Sequence, residues 1–311
     1  MSLFALIAAL LLEQLQPLSS RKYLYRWLSG YVNFFQQHFN TGQHKHGKVA
    51  WLLAVLPLFV SVLVLYWLLY CAHPILAWAF NVLILYLTMG FRQFSHYFTG
   101  IHHALRDGKL DEAHVLLAKW RGIPSQELNA EEVARITIEE ALIASHRNVF
   151  GVVVWFVLFS AVGLGGAAGA LLYRLGQFLR AHWGENESEL GEFGGFAQQA
   201  FYLLEWLPIR LTAVTFAIVG NFEDTVYCWR TQASSWADSE VGILLASGAG
   251  ALGVRLGLPT SQNGQLLDRP ELGIGDEADA DFMQSTIGLV WRSVVFWLIL
   301  LLLLTLANLL G

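Results

Sequence analysis

Cysteine is almost missing from this sequence: Cys71 and Cys228 are the only two in 311 residues. One lies in an apolar stretch and the other in "DTVYCWR", so neither a disulfide framework nor a cysteine metal site is indicated, and both thiols are expected to be inert. Charge is scarce too. Only 14% of residues are Asp, Glu, Lys or Arg, and the net charge of −5 argues against nucleic acid as a partner. No strand-like alternation of any length and no internal repeat is visible. What remains is oil: 55% of the residues are hydrophobic and the mean hydropathy is positive. That balance excludes an ordinary soluble domain and indicates an integral membrane protein.

The fold class expected is all-α, a single polytopic helical membrane domain over 1–311 with cytoplasmic helical loops. Hydropathy gives spans at 49–71, 74–91, 149–173 and 293–310, each of a length suited to a hydrocarbon core of roughly 30 Å. "CAHP" (71–74) is a tight turn, with Pro74 in the first turn of the returning helix. Two shorter apolar pieces, 2–12 and 208–220, are read as tilted, re-entrant or interfacial segments. The first lacks a cationic n-region and a small-residue cleavage site, so it is expected to be retained. Lys and Arg number five in 13–48, seven in 92–148 and four in 221–292, against three in 174–210. The positive-inside rule then puts the first three on the cytoplasmic side of a bacterial-type inner membrane, with the acidic "GENESELGE" (184–192) on the other.

The loop 92–148 reads as helical hairpins. On a 100° wheel Arg92, His96, Thr99, His103 and Arg106 share one face, and Phe94, Tyr97, Phe98, Ile101 and Leu105 the other. Gly108 turns the chain, Asp111 and Glu112 suit the start of a second helix, and Asn129 with Glu132 resembles a capping box that opens a third, running on into the 149–173 span.

Four constellations could carry chemistry. The stripe with Arg92, His96, His103 and Arg106 suits phosphate or lipid headgroups, and equally a solvated polar face; with no carboxylate beside it, a metal is not expected. "HKH" (44–46) is read as an exposed loop. Glu139, Glu140, His146, Arg147 and Asn148 stand where a helix enters the bilayer, with Glu139 and His146 on one face and Glu140 and Arg147 on another; ionisable groups there form either a site or a structural charge network. In "GLGGAAGALLYRLG" (163–176), Gly165 and Gly169 favour close helix packing, within the chain or in a homo-oligomer, and the Lys and Ser/Thr of a phosphate loop are missing. In the Gly/Pro-rich loop region 221–292, "AGALGVRLGLPTSQNGQLLDRPELG" (249–273) offers Arg255 and Asn263 to an anion, or merely packs helices.

This last run resembles the C-terminal signature of the CobD/CbiB family of cobalamin-biosynthesis membrane proteins, an A-L-G-x-R-L-G-G-P run followed by R-P-x-L-G. "EWLPIRLTA" (205–213) is similar to the family's W-I-P-A-R-L-T segment, with Trp206, Pro208, Arg210 and Leu211 in place. "ALRDGKLDEA" with "RITIEEA" resembles the helical loop leading to its I-E segment, here Ile138 and Glu139. The resemblance covers roughly 90–275. It implies an amide ligase that joins aminopropanol or its phosphate to the f-side-chain carboxylate of adenosylcobyric acid, using ATP and Mg, with a corrinoid as ligand. Glu139, His146 and Arg147 would then be catalytic, and Arg92, His96, His103, Arg210, Arg255 and Asn263 would bind substrate or anion. Two acidic positions of the family pattern fall on Arg147 and Arg180, replacing cation ligands with positive charge. A second resemblance, to the AmpE branch, implies instead a non-catalytic membrane sensor or scaffold.

Overall fold

The computed structural model describes residues 2–15, 21–184, 190–262 and 265–310. Thirteen α-helices lie among them. They are α1 (Ser2–Leu15), α2 (Arg21–Phe39), α3 (His44–Ala72), α4 (Pro74–Thr88), α5 (Phe91–Arg106), α6 (Leu110–Arg121) and α7 (Ala130–Ser145). Then follow α8 (Gly151–Ala161), α9 (Gly166–Leu179), α10 (Gly195–Val219), α11 (Phe222–Gln232), α12 (Ser239–Leu252) and α13 (Ala280–Leu310). Among the described residues four helical stretches are long and apolar enough to cross a membrane: 44–72, 130–161, 191–219 and 280–307. On α3 and α13 the large apolar residues Leu53, Val60, Trp67, Val295, Ile299 and Leu303 are exposed. Such surfaces are at home in lipid, which has no need of polar cover.

The chain forms two compact units. One comprises residues 1–90 and 147–208, the other 91–146 and 209–311. In the first, α1 packs on α4, α3 on α2, α4 and α9, and α8 on α9. The 149–173 stretch is not one helix. It ends at Ala161 and restarts at Gly166, because Gly163 and Gly165 turn the chain with φ of 77° and 83°. Gly165 is thus a turn residue, whereas Gly169 does serve close packing: a Cβ there would fall 2.2 Å from the carbonyl oxygen of Trp155. "HKH" likewise belongs to the first turn of α3, where His46 Nδ1 lies 2.8 Å from Thr41 Oγ1. His73 caps α4 by accepting from the Ile75 amide, ahead of Pro74.

The 208–220 piece is the second half of α10, which continues through Pro208. Proline supplies no N–H for the carbonyl of Leu204, and Trp155 Nε1 donates to that oxygen instead, at 2.9 Å.

In the second unit α5 packs on α6 and α7, α12 on α11 and α7, and α13 on α5 and α7. Asn129 and Glu132 form the expected capping box, each side chain 2.8 Å from the other's backbone N–H. On α5 the polar face is out and the aromatic face in: Arg92, His96, Thr99, His103 and Arg106 are exposed, and Phe94, Phe98 and Ile101 are buried. The region 221–292 is not a loop. Its small residues build α12, buried along almost its whole length, and a Cβ on Gly250 would lie 2.5 Å from the Asp224 carbonyl oxygen of α11. Four short strands follow, against the expectation of none: β1 (Leu256–Gly257) pairs antiparallel with β4 (Glu271–Leu272), and β2 (Thr260–Gln262) with β3 (Gln265–Leu267).

Candidate functional site

The second unit brings together the two most distinctive pieces of the sequence. Glu139, on the buried face of α7, receives Arg269 Nη1 on Oε2 at 2.8 Å and the backbone N–H of Gly257 on Oε1 at 2.8 Å. The same guanidinium donates to the carbonyls of Gly257 (3.0 Å) and Leu258 (3.2 Å) and lies 5.6 Å from the Trp236 ring centroid. One arginine therefore fastens β1, the turn after it and α7. Gly257 is required here: its φ is 73°, and a Cβ would sit 2.0 Å from the Pro270 carbonyl oxygen. Glu139 and Arg269 are 6% and 17% exposed at their side chains, so the pair is shielded and fully hydrogen-bonded.

Arg135 stands one turn before Glu139 on α7 and is 8% exposed. It borders a cavity of about 240 Å³ that Asn129, Glu131, Glu132, Arg255 and Glu277 also line. Arg255 reaches Glu277 at 3.2 Å and Glu271 at 3.7 Å. Asn263 lies outside the described residues.

The remaining charged positions have partners of their own. Arg210 pairs with the buried Glu240 of α12 at 3.0 Å, and His146, fully buried, meets Thr212 at 2.9 Å. Glu140 pairs with Arg121 at 3.0 Å. Glu139 on α7 turns to Arg269 and His146 to Thr212, and from His146 to Phe150 the helix widens to a π-turn. A π-turn adds a residue and rotates everything beyond it. Arg92, His96 and His103 lie on the exposed side of α5, apart from the buried Phe94 and Phe98. His102, buried beside them, is held below the usual histidine pKa by burial and by His103 and Arg106. Cys228 is buried in α11 and its thiol is pushed up to about 11 by burial and by Asp224, so it is no nucleophile at neutral pH.

In the first unit a single carboxylate holds both Arg147 and Arg180. Glu205, 1% exposed, accepts from Arg147 Nε and Arg180 Nη1, each at 3.3 Å. Both arginines sit in π-turns, His146–Phe150 and Arg180–Gly184. Arg174 donates to Asn148 at 2.7 Å, to Gln177 at 2.6 Å and to the Tyr25 hydroxyl.

Comparison with known proteins now decides the family. The family model described as CobD/Cbib protein matches residues 5–290. This chain belongs to the CobD/CbiB family. A protein named cobalamin biosynthesis protein CobD from Stutzerimonas stutzeri (strain A1501) is 36% identical over 97% of this chain and 98% of its own length. One of the same name from Streptococcus sanguinis (strain SK36) is 27% identical over 96% of each. Cobalamin biosynthesis protein CbiB of Salmonella typhimurium is 25% identical over 74% of this chain and 72% of its own. No solved structure matches the chain.

For a CobD/CbiB protein the sequence pointed to Glu139 and Arg255 but passed over Arg135 and Arg269. Arg269 had a signal, the R-P pair of the terminal run. Arg135 had none, since an arginine in the first turns of an amphipathic helix is ordinarily a solvated one. Among the described residues no three His, Cys, Asp or Glu side chains are arranged to hold a metal ion by themselves.

Proposed function

We propose that this chain is the amide ligase of the corrinoid pathway, joining aminopropanol or its phosphate to the f-side-chain carboxylate of adenosylcobyric acid at the cytoplasmic face of the inner membrane. The observation that carries this reading is the meeting of Glu139 with Arg269 and Gly257, which closes the family's terminal run on its I-E helix beside an arginine-lined cavity. The reversed charges at Arg147 and Arg180 do not speak against it. Both are held on the shared carboxylate of Glu205, in the unit that does not contain the Glu139 pair.

Amide formation from a carboxylate and an amine requires that a hydroxide equivalent leave, and transfer of the γ-phosphoryl group of ATP to the carboxylate provides that. The amine nitrogen then bonds to the acyl carbon, phosphate departs with the C–O electron pair, and the nitrogen gives up a proton. Magnesium is suited to enter with the nucleotide phosphates, since it keeps several waters and asks for one or two protein carboxylates. Glu131 and Glu277 at the cavity fit that limited demand; a full protein cage is not among the described residues. Arg135 and Arg255 supply the cationic donors that phosphate oxygens prefer.

The test is growth. In a strain lacking adenosylcobinamide-phosphate synthase, this gene is expected to restore growth that depends on corrinoid made from cobyric acid, and Glu139→Gln to abolish it. An expressed, membrane-inserted chain that neither restores growth nor converts cobyric acid with ATP in vitro would leave a non-catalytic sensor or scaffold as its role.

A further inference from the structure

We infer that the arginine cluster of the first unit, Arg147, Arg174 and Arg180, is a binding site for the phosphodiester headgroup of an anionic phospholipid. The path of the chain builds it. α8 packs on α9, and because Gly163 and Gly165 reverse the chain between them, Arg174 and Arg180 return to the end of the hairpin where Arg147 stands. The three gather around Tyr173, whose ring is fully buried and whose hydroxyl has no hydrogen-bond partner; Glu205 and all three guanidiniums lie within electrostatic reach of it. Among the described residues, three guanidiniums around this point face one carboxylate, two positive charges in excess. Glu205 serves Arg147 and Arg180, whereas Arg174 donates to neutral oxygens, those of Asn148, Gln177 and the Tyr25 hydroxyl. The side chains of Arg147 and Arg180 are each 21% exposed, so an anion from outside the fold can meet the excess.

The depth of the cluster points to the source of that anion. Leu175, Phe178, Leu179 and Trp183 share one core with Ala50, Ala54 and Val55 of α3, which sets the end of α9 level with the outermost turns of the apolar run that begins at Val49. At about 1.5 Å per residue the 29 residues of α3 overshoot a hydrocarbon core of roughly 30 Å, so this end meets the headgroup layer. Arginines there extend their apolar stems toward the headgroups, and basic pockets between spanning helices are seats for lipid phosphates. A guanidinium takes two phosphate oxygens side by side. The neighbours fit an amphiphile. One turn apart on α10, Tyr202 and Trp206 flank Glu205 and are 47% and 48% exposed; on α2, Tyr23 and Trp27 flank Tyr25 and are 71% and 57% exposed. Tyrosine and tryptophan are the side chains enriched at the membrane–water boundary, and a soluble anion has no use for such a rim. The site lies in the unit without the Glu139 pair and does not rest on the ligase reading.

Lipid titration of the purified, delipidated full chain in neutral detergent tests it, with bound lipid counted by native mass spectrometry and unfolding followed by temperature. Cardiolipin and phosphatidylglycerol are the probes, phosphatidylcholine is the zwitterionic control, and inorganic phosphate and glycerol 3-phosphate are the soluble anions. Each anionic lipid is expected to be retained at least fivefold more than phosphatidylcholine and to raise the unfolding temperature, and the soluble anions to do neither. Arg147→Gln and Arg174→Gln should each lower that retention at least fivefold. Arg174→Gln leaves both bonds to Glu205 in place, so it reports even where Arg147→Gln does not fold. Arg106→Gln combined with Lys119→Gln removes two exposed charges from the second unit and should leave retention unchanged. Equal retention of anionic and zwitterionic lipid, retention unmoved by Arg174→Gln, an equal loss in the Arg106 and Lys119 double variant, or the same protection from inorganic phosphate alone would overturn the inference.

Discussion

Glu205 holds two arginines, Arg147 and Arg180, and the consequence runs against intuition. Placing aspartate at Arg147 and Arg180 would look like restoring the family, yet in this structure it would set three carboxylates around one buried point. The double variant is therefore expected to melt at lower temperature than the natural chain, with part of the loss recovered by adding Glu205→Arg. Glu205→Gln alone removes the carboxylate shared by two arginines that are each about a fifth exposed. Breaking a buried ion pair costs about 3–5 kcal/mol, and the exposure of the arginines puts this case at the lower end. Urea or thermal unfolding in detergent measures both. Unfolding temperatures unchanged in either variant would show that the triad contributes nothing.

At the scale of elements, what determines the second unit is how closely α11 and α12 approach. Gly250 lies against the Asp224 backbone so tightly that a Cβ would stand 2.5 Å from its carbonyl oxygen. Contact between small residues at this spacing lets the two backbones pack directly on each other, as closely as a protein interior allows. Gly250→Val is expected to destabilise by about 1–3 kcal/mol through overpacking, and Gly288→Val, with nothing within 4 Å, to change stability by less than about 0.5 kcal/mol. Equal melting of the two variants would refute close packing at Gly250. The helical parts of this unit were plain in the sequence: the cap at Asn129, the turn at Gly108 and the two faces of α5 all follow from residue type and a 3.6 period. α12 was not, because glycine and proline nearby look like a linker until the partner helix is known. The strands were illegible for a related reason, since two- and three-residue strands carry no alternation to detect.

For the molecule as a whole, the two units are interleaved along the chain, with crossings at 90/91, 146/147 and 208/209, so no contiguous fragment consists of one complete unit alone. Global stability also has a proton dependence built in. His102 is buried with Nε2 unpartnered, and its pKa is lowered. The unfolded chain, with an imidazole near 6.5, then takes up the proton first, so stability is full above that pH and falls as pH drops below it. Thermal unfolding in detergent from pH 8 to pH 5 should show this loss, and His102→Leu should flatten it; an identical slope in the variant would assign the loss elsewhere. The sequence by itself determined the solvent, the helical class and the family, because hydropathy, caps and motif order are local and survive without knowledge of neighbours. Only the tertiary structure decided the site. The partnership of Glu139 with Arg269 and that of Glu205 with Arg147 and Arg180 depend on π-turns and long-range approach, which shift faces and pair charges far apart in the chain.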